Sequence, residues 1–488
     1  MLNRPVLFPA ALAAALLLAA HAVHAQEAAA LLRKAAAAMG TENLKTLRYA
    51  GSGTGAQFGQ AFHPSRPWPK VNYPSYERLL DYQAGASSEI VTRSRAEPTG
   101  GGAVPLTGEA RFGGAVSGPF AWNLAGPALV ATPRQPAREA RLHDLWITPH
   151  GAVIAAARNN AKLRFVTEGG RELAAVSFTE PGVLSATVYI NDGYLVERVE
   201  SRMPDPVLGD TAVVTAYSDY RGFGGVWFPM RIRQSAAGSP VLDLEVKEVQ
   251  PNAKIDIAVP ENVRVATERV TAEKAAEGVW FLAGGSHNSV AIEMKDHVVL
   301  VESPLGDARA APVIAEVKKL IPGKPIRYVV NSHPHFDHSG GLRAAVAEGA
   351  AVVTQQGNKA WFEKAFANPN RLAPDLLAKS GKKAKVIGVP AKRVLDDGAR
   401  KIEVHHLKDP LHVGTFLMVY LPAEKILIEA DAFTPAPPNT PAPAKPNPYH
   451  VNLVDNIQRL KLDVERILPL HGRIVPVADL YSFAGRKP

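Results

Sequence analysis

Three histidines and an aspartate are packed into one short stretch, His333-Pro334-His335-Phe336-Asp337-His338. Imidazole nitrogen suits zinc and related divalent ions, and a carboxylate among the imidazoles adds charge and a second kind of ligand. In an extended segment, residues at i and i+2 project to one side. Those at i+4 and i+5 fall past the bend toward a second position. One loop of this kind can feed two neighbouring metal ions.

The flanks give the loop a place in a fold. Upstream, Ile326-Arg327-Tyr328-Val329-Val330 reads as a short buried strand, rich in β-branched and aromatic residues. Downstream, Ser339-Gly340-Gly341 precedes Leu342-Arg343-Ala344-Ala345-Val346, which reads as a helix capped by the serine. The ligands then sit at the C-terminal end of a strand, the rim where open α/β sheets place their sites.

His-x-His-x-Asp-His after a strand and before Gly-Gly resembles the signature of the metallo-β-lactamase-fold hydrolases, a likeness covering about residues 268–488. The resemblance implies three later ligands in fixed order, and the chain supplies each. His412 stands before the strand Phe416-Leu417-Met418-Val419-Tyr420-Leu421, Asp431 ends Lys425-Ile426-Leu427-Ile428-Glu429-Ala430-Asp431, and His471 follows Ile467-Leu468-Pro469-Leu470. By that resemblance His333, His335 and His412 hold one zinc, while Asp337, His338 and His471 hold the other. Asp431 would bridge the pair, and Asp337 would also act catalytically by orienting the nucleophile. Two zinc ions per chain are implied, with iron or manganese also compatible with a histidine-rich site. Ala430 stands where the family usually has Gly, and Gly414-Thr415 replaces a common Thr-x-Gly-type segment. Neither change removes a ligand.

The implied activity is that of an exported dinuclear zinc hydrolase, in which a metal-bound hydroxide cleaves an ester, thioester, lactone or related bond. An aspartate at 431, where zinc β-lactamases carry Cys or Ser, points away from a dedicated antibiotic hydrolase. Amide hydrolysis of the β-lactamase type is one alternative. A non-catalytic periplasmic binding or redox-support protein is another.

Other histidines have local explanations to weigh. His405 and His406 lie in an apolar strand and are expected to be ordinary strand residues, with a supporting contact to the site as the alternative. His287-Asn288, in Gly284-Gly285-Ser286-His287-Asn288, fall in a loop that could serve either as a turn or as a substrate contact. His450 follows a Pro-rich segment and is not assigned a role.

The whole chain sets further bounds. Its 488 residues imply two or three domains, and 46% hydrophobic with 21% charged residues is ordinary for a globular core. Arg4, the apolar run Val6 to Ala20 and Val23-His24-Ala25 before Gln26 have the form of a Sec-type signal peptide over residues 1–25. No membrane span is expected in the mature chain. With no cysteine, disulfides, thiolate chemistry and a lipoprotein anchor are excluded, and the expected setting is periplasmic or secreted. The formal charge is +9. Lys and Arg are scattered, so a solvated surface is expected and nucleic acid is not; the partner expected at the site is a small-molecule substrate.

The pattern divides near residue 265, giving an α+β protein. Residues 26–265 read as a mainly antiparallel β domain with packed helices. It begins with a helix from Glu27 to Met39 stopped by Gly40, then a polar, Gly- and Pro-rich stretch through Gly126 with only scattered strand signals. Helical character over Arg138–Asn159, broken near Thr148-Pro149, precedes seven strand-like runs between Leu163 and Val249. In layout this is similar to the half-barrels of periplasmic lipoprotein carriers, and it could hold an apolar ligand or a protein partner. Residues 266–488 alternate strands and helices, an αββα metallo-β-lactamase-like catalytic domain. The Pro-rich segment Thr434 to Pro448 is expected as a loop at the mouth of the site.

Overall fold

The computed structural model describes residues 26–102 and 104–487; the signal-peptide reading of residues 1–25 lies outside them. Among the described residues no helix is long and apolar enough to cross a membrane.

The N-terminal part is built on one antiparallel sheet of 13 strands. Its first strand, Thr46–Ala56, pairs with its last, Ser239–Pro251, and two meanders run outward from that seam. The two end strands, Val130–Pro133 and Lys162–Glu168, do not pair with each other, so the sheet stays open. A helix over residues 26–39 and the helices Arg138–Trp146 and Pro149–Arg158 bring Leu32, Met39, Leu145, Trp146 and Val153 into the core that the sheet forms with Tyr49, Leu80, Val188 and Phe228. Thr148 accepts a hydrogen bond from Gly151 N and so begins the second of these helices, which is why the helical run breaks there.

The seven strands expected between 163 and 249 are present, and several are longer than their apolar runs. The polar stretch through Gly126 is more regular than its composition suggests, with strands at Lys70–Asp81, Ala86–Arg95, Glu109–Ser117 and Phe120–Ala125 beside the first. The reason is visible in that first strand. Gly51 and Gly53 each lie against a carbonyl of the partner strand, where a Cβ would fall 2.1 Å from Glu245 O or Asp243 O. Close backbone approach, not side-chain alternation, fixes this strand.

The C-terminal part stacks a seven-stranded sheet on a six-stranded one. Val290, Val299, Val330 and Val353 of the first meet Val404, Val419, Ile428 and Leu468 of the second in one apolar layer. The outer face of the seven-stranded sheet is covered by helices Asp307–Leu320, Leu342–Glu348 and Lys359–Ala367 through Val313, Leu342 and Phe362. Strand Val298–Val301 is buried at every position and pairs in parallel with Ile326–Val330, as expected for a strand covered on both faces.

Ser339 does not cap the helix that follows it. Its hydroxyl donates to the carbonyls of Pro334 and His335, inside a short helix Phe336–Ser339, and Leu342–Glu348 starts after Gly341 without a side-chain cap. Gly340 and Gly341 are needed for contact. A Cβ at either would lie within 2.8 Å of the Leu305, Pro304 or Ser303 carbonyls.

Among the described residues, backbone hydrogen bonds join the two parts at two places. Asp210 N donates to Pro369 O at 2.8 Å and its carboxylate accepts from Arg371 N at 2.9 Å. The loop after the first strand reaches further in: Phe336 N donates to Gly59 O at 3.1 Å, and Gly414 N donates to Phe62 O at 2.7 Å.

Candidate metal centre

Strand Ile326–Val330 delivers Asn331 to His335 to the sheet rim, and the strands Leu417–Leu421, Ile426–Glu429 and Arg466–Pro469 bring His412, Asp431 and His471 to the same rim. One ligand atom from each of His333, His335, His412 and Asp431 lies within 4.8 Å of the others. A second trio on the same criterion is His287, His338 and His471. Asp431 faces both groups. Its Oδ2 is 2.8 Å from His412 Nε2 and 3.7 Å from His333 Nε2, while Oδ1 is 3.0 Å from His338 Nε2 and 2.9 Å from His471 Nε2.

Six residues of the sequence-derived set of seven fall in these two groups, and His287 takes a place in the second where Asp337 was expected. Asp337 lies at its edge, with Oδ2 3.2 Å from His287 Nε2 and 3.9 Å from His338 Nε2. His287 thus stands between Asp337 and the second trio, an arrangement the sequence did not specify. Asn288 clamps the neighbouring turn: its Nδ2 donates to Pro469 O and Gly472 O at 3.0 and 2.9 Å, holding the backbone on both sides of His471. The buried Arg309 supports the same loop by donating to the Ala283, His287 and Arg269 carbonyls.

The imidazoles are tethered by their outer nitrogens. His335 Nε2 donates to Ala61 O at 3.1 Å, and His471 Nδ1 donates to Ser286 O at 2.9 Å. His333 Nδ1 lies 3.0 Å from Ser332 Oγ, and His338 Nδ1 lies 3.3 Å from Glu302 Oε2. Each such bond fixes the ring and turns the other nitrogen inward. The inward atoms His333 Nε2 and His335 Nδ1 are buried and have no hydrogen-bond partner, while His412 Nε2 and Asp431 Oδ1 meet only other members of the cluster. Buried polar atoms left unpaired are costly, and converging lone pairs of this kind fit divalent cations. Nitrogen and oxygen donors without thiolate suit zinc, iron or manganese.

Protonation agrees with that fit at His333, His335 and His287 and runs against it at His338. Burial, reinforced by neighbouring imidazoles, holds His333 well below its usual pKa and lowers His335 and His287 to about 3. Neutral imidazole is the form that can donate a lone pair. Burial alone would raise Asp431 and Asp337, but the charge of His338 outweighs it and keeps both carboxyls well below the ordinary range. His338 moves the opposite way: burial would lower it, and Asp431 and Asp337 raise it well above its usual value.

Glu302 escaped the sequence reading, where it is the last residue of an apolar strand. It is fully buried and accepts from Asn331 Nδ2 at 3.2 Å, from the Ser332 hydroxyl and from His338 Nδ1. Its φ of 68° lies in the left-handed region, a conformation that costs a non-glycine residue about 1–3 kcal/mol and tends to mark functional sites. An acid ending an otherwise apolar strand was the available signal. Gln60 had none: it comes from the N-terminal loop, and its Nε2 donates to Asp337 Oδ1 at 2.9 Å.

The remaining histidines are resolved locally. His405 pairs with Glu403 at 2.9 Å, and His406 Nε2 donates to Gly414 O, steadying the loop after His412. His450 packs edge-on against Phe433. The Pro-rich segment is irregular up to Asn447, and Pro448 opens helix Pro448–Leu460. Pro435 lies beside Gly472, next to His471, and the Tyr449 ring is 5.6 Å from that of His412.

The metallo-beta-lactamase superfamily profile matches residues 282–471. No curated protein matches the chain. Among solved structures, a metallo-beta-lactamase from Pontibacter korlensis is 18% identical, with 44% of this chain and 98% of that one aligned at a TM-score of 0.34. The DIM-1 metallo-beta-lactamase gives 18%, 44%, 95% and 0.33 for the same quantities. Rubredoxin oxygen:oxidoreductase from the anaerobe Desulfovibrio gigas gives 20%, 44%, 59% and 0.34.

Proposed function

Residues 282–471 are a metallo-beta-lactamase superfamily domain, and from that premise we propose that the protein is a dinuclear metallohydrolase acting on an ester, thioester or lactone. The observation that carries the reading is the placement of Asp431, with one carboxylate oxygen toward each imidazole group. In this reading His333, His335 and His412 hold one cation, His338 and His471 hold the other, and Asp431 lies between them. Zinc is the proposed ion, since its preference for nitrogen and oxygen donors matches this set. When bound, such a pair supplies Lewis acidity and a water acidic enough to ionise near neutral pH.

The chain's own residues do the rest. Asp337 is oriented from both sides, by Gln60 on Oδ1 and by His287 on Oδ2, so its carboxylate presents a fixed acceptor at the edge of the centre. It is the acceptor placed to orient the attacking water by a hydrogen bond. His287 adds a nitrogen donor beside His338 and His471. Phe58, Trp68 and Phe336 pack edge-to-face beneath the loop, which keeps the Gln60 contact in place and limits water on that side.

The test is turnover of a panel of generic aryl esters, thioesters, lactones and lactams by zinc-loaded protein, beside Asp431→Asn and His333→Ala. Hydrolysis of at least one ester-class substrate, lost in both variants, is expected. A loaded chain that cleaves none of the panel, or variants as active as wild type, would refute the proposal.

A further inference from the structure

The cavity that opens on the metal centre belongs mostly to the N-terminal part. It has a volume of about 660 Å³ and lies between the 13-stranded sheet and helix Arg138–Trp146, and Ser286, His287 and Asp337 form part of its wall. On the sheet side it is lined by Tyr49, Tyr76 and Phe228, with the Tyr49 ring 5.1 Å from Phe228 and 6.2 Å from Tyr76. A chamber of this size encloses a drug-sized molecule, and an aromatic wall favours an apolar body.

Its charges are not equivalent. Arg78 lies 3.8 Å from Glu89 and 3.9 Å from Asp144, and Arg93 lies 3.9 Å from Glu89. Those guanidinium groups are balanced by acids in the same wall. Arg134 also lines the chamber, on the turn after strand Val130–Pro133, and among the described residues its side chain has no hydrogen bond and no ion pair. Ser286, His287 and Asp337 line the same chamber, so it joins this guanidinium to the edge of the metal centre. A half-buried, unpaired guanidinium facing a cavity is a ready partner for a carboxylate or other planar anion.

We propose that the chamber is the substrate site of the hydrolase, and that it selects an ester or thioester with an apolar body and one anionic group. The anion sits at Arg134, close to the metal centre, and the body lies against Tyr49, Tyr76 and Phe228. Arg78 and Arg93 already face Glu89 and Asp144, which leaves Arg134 as the guanidinium for the anion and gives the molecule one orientation. The proposal rests on the hydrolase reading, but binding can be tested without turnover.

The probes are two fluorescent naphthylamines of similar shape: the anionic 8-anilinonaphthalene-1-sulfonate and the neutral N-phenyl-1-naphthylamine. Both are titrated into the full chain, with added zinc and after chelator treatment. Wild type should bind the anionic dye at least tenfold more tightly than the neutral one in both states. Arg134→Met should weaken the anionic dye about tenfold or more and leave the neutral dye within twofold, and Arg134→Lys should recover part of the loss. Leu242→Trp, which fills the chamber from its sheet wall, should weaken both dyes. The proposal is overturned if neither dye binds, if Arg134→Met leaves the anionic dye unchanged, or if Leu242→Trp leaves both unchanged. If the dyes behave as expected and no ester is cleaved, the chamber stands and the hydrolase reading alone fails.

Discussion

Replacing Glu302 with glutamine should weaken one metal position and spare the other. The wild-type carboxylate accepts from Asn331 on Oε1 and from both Ser332 and His338 on Oε2. A glutamine has one acceptor oxygen and one donor amide. If the amide faces Asn331, two donors oppose each other; if it faces the other side, Ser332 and His338 both lose their acceptor. In the first placement His338 keeps only a neutral oxygen, a weaker acceptor than the carboxylate, and in the second it loses its acceptor; its inner nitrogen is 3.0 Å from Asp431. Losing the group that orients a metal-binding histidine typically costs 10–100-fold in affinity, or roughly 1.4–2.7 kcal/mol. His333, His335 and His412 are touched only indirectly, through Ser332 and Asn331 beside His333. Stepwise competition against a chromophoric zinc chelator separates the two positions. One tight step should persist and the second should weaken by that factor. Two unchanged steps, or two steps weakened equally, would refute the orienting role assigned to Glu302.

Three further outcomes follow from named contacts. Gly101→Ala places a methyl 2.1 Å from His335 Cε1, so it should weaken the His333/His335/His412 position at least tenfold in the same titration. Gln60→Ala removes a hydrogen bond to a charged group, worth about 1.5–3 kcal/mol, and should lower kcat about tenfold or more while elemental analysis still finds the wild-type metal content. Asp205 is pushed up to about 6 by burial, against the backbone N–H groups of Leu208 and Val207 that it accepts from, whereas the unfolded chain releases this proton near 3.8. The folded state therefore holds more protons between those values, and stability falls as pH rises from about 4 to about 6, then stays lower. In chelator-treated protein, urea melts should show Asp205→Asn more stable at pH 7 by roughly 1–3 kcal/mol; a destabilised variant would contradict the assignment.

What could be read from the chain tracks how local each signal is. His333 to His338 are contiguous, and strand and glycine flanks mark their position, so the centre of the site was legible. His412, Asp431 and His471 follow from the ligand order that the family resemblance implies, each beside an apolar run that marks its place. His287 was noticed as a loop residue, but its place between Asp337 and His338 depends on how three loops stack at the sheet rim. Gln60 is supplied by a polar loop more than two hundred residues away, which no periodicity could assign. The N-terminal sheet was half legible for a related reason. Where side chains alternate, as in Leu242, Leu244 and Val246, the strands could be read; where Gly51, Gly53 and Gly55 let two backbones meet, the alternation disappears.

The most direct test is the number of divalent ions the intact chain holds. Inductively coupled plasma mass spectrometry on zinc-reconstituted, desalted protein should give two equivalents for wild type and a clear loss in Asp431→Ala, whose carboxylate lies between the two imidazole groups. Fewer than one equivalent in wild type, or two retained without Asp431, would contradict the reading of these side chains as one shared centre.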